Sequence, residues 1–173
     1  MNIKTLISTE EIQKRVKELA DQIEKDYKDK GEIVIVGILK GAFMFMADLV
    51  RHLSVPVRCD FLRVSSYDHD VNTGVVRMEF DLTQPVEGQH ILMVEDIVDT
   101  GNTLRYLLQH LKTKNPASMK IASLLYKEKG AAREMVDYIG FTVPDKYVIG
   151  YGLDSEGLYR SLPYIGVFKV VDR

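Results

Sequence analysis

The strongest constraint on the fold is the run Ile33-Val34-Ile35-Val36-Gly37-Ile38-Leu39, entered from Glu32 and stopped at once by Lys40-Gly41. A strand that is apolar at every position has no face for water and belongs in a parallel sheet covered on both sides. The run is far short of the ~20 residues that cross a bilayer, which argues against a membrane partner. Gly41 to Leu53 reads as a helix, so strand, tight turn and helix begin a βα unit. Ahead of it, Ser8 and Glu11 have the spacing of a capping box, and Ile12, Val16, Leu19, Ala20 and Ile23 repeat at helical period, predicting a helix that runs down to Gly31 as the first element.

The strand and helix pattern continues. Val57 to Val64 alternates in part, with Val57, Cys59 and Phe61 on one face, so Cys59 is expected to be a buried structural thiol. Ser65 to Gly74 is polar turn chemistry, and Val75 to Phe80 reads as a return strand, together forming a long hairpin. Ile91 to Val94, Met119 to Tyr126 and Tyr147 to Tyr151 read as strands, and the tail from Tyr164 to Val171 is strand-like. Leu104, Leu107, Leu108 and Leu111 mark a helix, and a further helix is expected from Ala131 to Ile139. Strands alternating with helices predict an α/β fold with a mostly parallel sheet, whose ligands bind beyond the carboxyl ends of the strands. A length of 173 residues fits one domain, 1–173. With 23 Lys+Arg against 25 Asp+Glu, the chain is not a basic protein built to coat nucleic acid. One cysteine forms no internal disulfide, and no Cys/His cluster has zinc spacing. Met1 to Glu11 lacks the pattern of a signal peptide, so the expected location is cytoplasmic.

The most informative segment is Ile91-Leu92-Met93-Val94-Glu95-Asp96-Ile97-Val98-Asp99-Thr100-Gly101-Asn102-Thr103. It reads as a buried strand ending in two adjacent carboxylates, then a third, then a small loop that opens a helix. A helix start presents unpaired N–H groups and a positive dipole end, which suit a phosphate. Gly101 lets the backbone come close, and the Thr100 and Thr103 hydroxyls add donors. Carboxylates set before such a loop can accept bonds from sugar hydroxyls. The bland alternative is an acidic surface turn in which Thr100 or Asn102 merely caps a helix. There is no Walker loop.

The whole string resembles the phosphoribosyl pyrophosphate signature of the type I phosphoribosyltransferases. Other segments resemble the hypoxanthine-guanine branch: Leu39-Lys40-Gly41 its pyrophosphate loop, Ser66-Tyr67 the opening of its mobile lid, and Lys127 its purine-reading lysine. Pro144-Asp145-Lys146-Tyr147-Val148-Ile149-Gly150-Tyr151-Gly152-Leu153-Asp154 resembles its base-binding segment, with Arg160 following at the family's spacing. The similarity runs from about Glu32 to Val167. Tyr147 stands where the vertebrate form has phenylalanine, and Asn102 where it has lysine.

The resemblance implies a parallel sheet flanked by helices, with a mobile hairpin lid and a small hood. It implies Mg²⁺-dependent transfer of the 5-phosphoribosyl group from phosphoribosyl pyrophosphate to a ring nitrogen of hypoxanthine and/or guanine, in purine salvage. By it Asp99 is the general base, and Glu95 and Asp96 receive the ribose hydroxyls. Ile97, Val98 and Thr100 to Thr103 (with Gly101 and Asn102) hold the 5-phosphate side. Asp154 is the direct Mg²⁺ ligand, with Glu95 and Asp96 in the same metal set. Lys40, Gly41 and Arg160 bind pyrophosphate, while Ser66 and Tyr67 close over it. Tyr147 stacks on the purine, the Val148 backbone and Asp154 line its site, and Lys127 donates to its 6-oxo group. A homodimer or homotetramer is expected. Taken alone, Lys127 reads as a solvated turn and Tyr147 equally as core packing. Phe43, Met44 and Met46 read as core or subunit contacts. His52 and His110 read as caps or surface groups, and His69 as solvated or part of the lid. Two rivals remain open. One is a phosphoribosyltransferase for xanthine or a pyrimidine; adenine is disfavoured because its amino group does not accept from a lysine. The other is an RNA-binding regulator on the same fold, although this chain has no Lys/Arg run beyond short pairs.

Overall fold

In the computed structural model, which describes residues 3–66 and 76–168, strand β2 (Ile33–Leu39) lies inside a six-stranded sheet. Its neighbours are β3 (Val57–Ser66) on one side and β5 (His90–Val98) on the other, both parallel to it. β6 (Ser118–Lys127) and β7 (Tyr138–Val143) extend the parallel part, and β4 (Val76–Phe80) closes the other edge antiparallel to β3. Every β2 residue from Ile33 to Ile38 is buried, as an all-apolar strand requires. Helices α1 (Thr9–Tyr27) and α2 (Phe43–Arg51) pack one face. Helix α3 (Asn102–Lys112) packs the other, through Leu104, Leu107 and Leu111. A second sheet of three short strands, β1 (Ile3–Ile7), β9 (Ile165–Phe168) and β8 (Val148–Ile149), matches the expected hood. Among the described residues, no helix is long and apolar enough to cross a membrane.

The capping box forms as the spacing predicts: the Ser8 hydroxyl accepts from the Glu11 amide at 3.2 Å, and the Glu11 carboxylate accepts from the Ser8 amide at 2.8 Å. Four expectations are corrected. The chain does not open with that helix, because β1 precedes it, antiparallel to β9 from the far end of the sequence. The helix expected over Ala131 to Ile139 is a single 3₁₀ turn, Arg133–Met135, followed by β7. Ala132, Met135, Val136 and Ile139 imitate a helical stripe, but the open edge of β6 captures the segment as a strand, with Gly140 pressed onto the Leu124 carbonyl. Cys59 is exposed, not buried. β4 pairs with β3 only from Arg63 to Ser66, which leaves the first half of β3 as a sheet edge. Last, β5 does not stop at Val94: its ladder with β6 continues through Glu95↔Ser123 to Val98↔Tyr126, so the acidic pair is strand and only Asp99 begins the turn.

Of the smaller expectations, Met46 is buried in the core and Phe43 is exposed. His52 ends α2, and His110 pairs with Asp81 at 2.9 Å. Tyr67, His69 and the remainder of the expected lid to Gly74 lie outside the described residues, and of Ser66 only its backbone pairing with Val76 is described.

Candidate active site

The carboxyl ends of β2, β5 and β6 meet the loop after β8, and two cavities open there, side by side. The first, of 140 Å³, follows one stretch of chain from Glu95 to Leu104. Its floor is the start of α3. Gly101 caps that helix at φ +79°, a left-handed conformation that glycine adopts without penalty; it offers no side-chain cap, and the Thr100 hydroxyl accepts only a long 3.5 Å bond from the Asn102 amide. With no acidic residue in the first turn, the dipole end is free to meet an anion. Thr100 and Asn102 are exposed and Thr103 is partly buried beside them.

Glu95 and Asp96 back this cradle. Glu95 is buried, and its Oε2 has no hydrogen-bond partner among the described residues. Burial, then the adjacent Asp96 charge, pushes the Glu95 carboxyl well above the usual range; burial also raises Asp96. Gly41 lies directly against Asp96: a Cβ there would stand 1.5 Å from Oδ2. On the opposite side Gly152 lets its turn approach the Gly41 carbonyl, where a Cβ would come within 2.1 Å. The Lys40-Gly41 backbone is thus clasped between β5 and the turn before Asp154, with the Lys40 side chain exposed.

The second cavity, of 310 Å³, is assembled from distant segments: Ile97 and Asp99, then Lys127 at the end of β6, then Tyr147, Val148 and Asp154. The Lys127 ammonium lies 3.0 Å from Asp145 and 3.6 Å from Asp99. The hydrogen bond to Asp145 raises its pKa, against partial burial, so it stays charged at neutral pH. Asp154 accepts from Arg160 at 2.7 Å and from the Gly157 amide at 2.7 Å, and Arg160 also donates to the Gly152 carbonyl at 2.6 Å. Asp99 lines both cavities.

The structure therefore brings Glu95, Asp96 and Ile97 to Thr103 together. It gathers Lys127, Tyr147, Val148 and Asp154 next to them, and joins Arg160, Lys40 and Gly41 through Asp154, Asp96 and Gly152. Sequence reasoning missed Asp145 as the partner of Lys127. It also missed Tyr151, which sits at φ +49° and bonds Asp48 of α2 to pin the Gly150–Leu153 turn. Neither carries a signal beyond lying in the Pro144-to-Asp154 string.

A helix start at the end of a central parallel strand, beside a cavity lined by an aromatic ring and an ammonium, is the arrangement the resemblance to the phosphoribosyltransferases leads one to expect. The family model of the phosphoribosyl transferase domain matches residues 3–156. The chain is 48% identical over 168 residues to a hypoxanthine-guanine phosphoribosyltransferase of Streptococcus pneumoniae, covering 96% of this chain and 93% of that one. A Bacillus subtilis relative of the same name matches equally, at 48% identity over 96% and 93%. Among solved structures, a hypoxanthine-guanine phosphoribosyltransferase of Bacillus anthracis superposes with a TM-score of 0.91 at 42% identity, over 97% of this chain and all of that one. A Trypanosoma cruzi hypoxanthine phosphoribosyltransferase, in complex with the product IMP, gives 0.88 at 45% identity over 96% and 94%. The chain belongs to the phosphoribosyltransferase family, in its hypoxanthine-guanine branch, and is an enzyme of that class.

Proposed function

We propose that the protein transfers the 5-phosphoribosyl group from phosphoribosyl pyrophosphate to a ring nitrogen of hypoxanthine and/or guanine, giving IMP or GMP and pyrophosphate, as a cytoplasmic purine-salvage enzyme. The observation that carries this reading is Asp99, which lines both the cradle and the neighbouring cavity. A nucleotide with its 5-phosphate on the Thr100–Thr103 loop would put its base beside Lys127 and Tyr147. Asp99 then accepts the purine ring proton as the glycosidic bond forms at the anomeric carbon. Glu95 and Asp96 accept from the ribose hydroxyls, which supply the partner that the Glu95 Oε2 lacks. Lys127 donates to the 6-oxo group, and Tyr147 stacks on the ring. Arg160, Lys40 and the Gly41 backbone offset the charge on departing pyrophosphate. Exposed Phe43 and the α2 face are the proposed contact of a homodimer or homotetramer.

The donor set fits Mg²⁺. Among the described residues no group of three or more His, Cys, Asp or Glu converges on one point. Mg²⁺ asks for less, taking one or two carboxylates and completing its shell with water and substrate phosphates. Asp154 would hold it, since a carboxylate has about four acceptor positions and Arg160 and the Gly157 amide use two. Glu95 and Asp96 would serve it through the ribose side. When bound, Mg²⁺ neutralises pyrophosphate charge as that group departs.

The test is a steady-state assay of phosphoribosyl pyrophosphate with hypoxanthine, guanine, xanthine and adenine, with Mg²⁺ and with a chelator. Transfer to hypoxanthine or guanine is expected, with none to adenine and none in chelator. Transfer to no purine, or transfer without metal, contradicts the proposal.

A further inference from the structure

Tyr147 is a large side chain held in an open place. Its relative exposure is 63%, too much for packing to fix the ring. Its hydroxyl nevertheless donates to the Asp154 backbone carbonyl at 2.8 Å. Both residues line the 310 Å³ cavity, so the bond ties two parts of one wall together. The acceptor is itself immobilised. Gly150 and Leu153 exchange backbone hydrogen bonds of 3.0 Å just before it, and the Asp154 carboxylate is held by Arg160 and by the Gly157 amide.

An exposed aromatic ring without such a bond samples several staggered rotamers. Freezing it on ligand binding would then lower affinity, and fixing it beforehand removes that cost. Phenylalanine would keep the stacking face and lose the bond. We propose that the Tyr147 hydroxyl is a preorganising tether: it sets the stacking ring in its purine-receiving orientation before the base arrives. Tyr147 is thereby a positioning residue through its hydroxyl, apart from what its ring does by stacking. This rests on reading the 310 Å³ cavity as the purine site.

The test compares wild type, Tyr147→Phe and Tyr147→Leu in two measurements. With Mg²⁺, phosphoribosyl pyrophosphate and hypoxanthine or guanine, Tyr147→Phe is expected to raise the purine KM about three- to tenfold, the worth of one neutral hydrogen bond. The KM for phosphoribosyl pyrophosphate changes less than twofold, and Tyr147→Leu raises the purine KM further by removing the ring. A purine KM for Tyr147→Phe within twofold of wild type overturns the tether, as does equality of the two variants. Crystal structures of the free wild type and Tyr147→Phe give the second readout. One ring orientation in the wild type and a spread of rotamers in the variant is expected; the same single orientation in both overturns the tether. Should the wild type transfer to neither purine, the purine reading of the cavity fails, while ring order still judges the tether.

Discussion

The two cavities at the carboxyl end of the sheet are built in opposite ways. The cradle follows one unbroken stretch, Glu95 to Leu104, and what it offers a ligand is mainly backbone at a helix start. The neighbouring cavity draws on three separated segments, and what it offers a ligand is side chains: the Lys127 ammonium, the Tyr147 ring and the Asp154 carboxylate. Backbone recognises what every sugar 5-phosphate shares, charge and size. Side chains recognise what distinguishes one base from another. The two halves should therefore fail differently when altered: the first through glycine and backbone shape, the second through the loss of single functional groups.

Asp99, which with Ile97 lines both cavities, carries the largest expected effect. Asp99→Asn removes the proton acceptor and should lower kcat by about 10²- to 10⁴-fold, with phosphoribosyl pyrophosphate binding nearly unchanged in calorimetry. A variant with full turnover near neutral pH would break the assignment. Lys127→Met comes next and falls on the second cavity alone. Loss of a charge-assisted hydrogen bond should raise the purine KM roughly ten- to a hundredfold, leaving the other substrate's KM within a few-fold. Gly101→Ala tests the first cavity. Its Cβ would demand φ +79° of an L-residue and meet the Ala132 Cβ at 2.4 Å. A rise of about tenfold in the phosphoribosyl pyrophosphate KM is expected, with the purine KM steady. Asn102→Ala is the smallest change. The side chain is exposed and only accepts from Arg105 at 3.3 Å, so an effect of about twofold or less is expected. A large Asn102 effect would mean that side chains, and not backbone, hold the phosphate.

The same contrast explains what could be read from the sequence. The cradle was legible because its parts are neighbours in the chain; strand, acids, loop and helix start appear in order. Even there the apolar run alone ends the strand at Val94, since the long ladder between β5 and β6 that keeps Glu95 and Asp96 in strand is a property of two segments. In the second cavity, Lys127 alone looked like a solvated turn. Its meaning depends on Asp145 and Asp99, which only the fold brings within 3.0 and 3.6 Å. β1 and β7 were lost for a related reason. Each is fixed by a partner edge, β9 for the one and β6 for the other, and local periodicity says nothing of edges.

The most direct test of the two-cavity account is a crystal structure of the protein with IMP bound. The account predicts the 5-phosphate on the backbone amides of Thr100 to Thr103, the base between Ile97 and Tyr147, and the 6-oxo oxygen within hydrogen-bond reach of the Lys127 ammonium. A nucleotide whose phosphate lies away from that loop, or whose base faces away from Lys127, would contradict it.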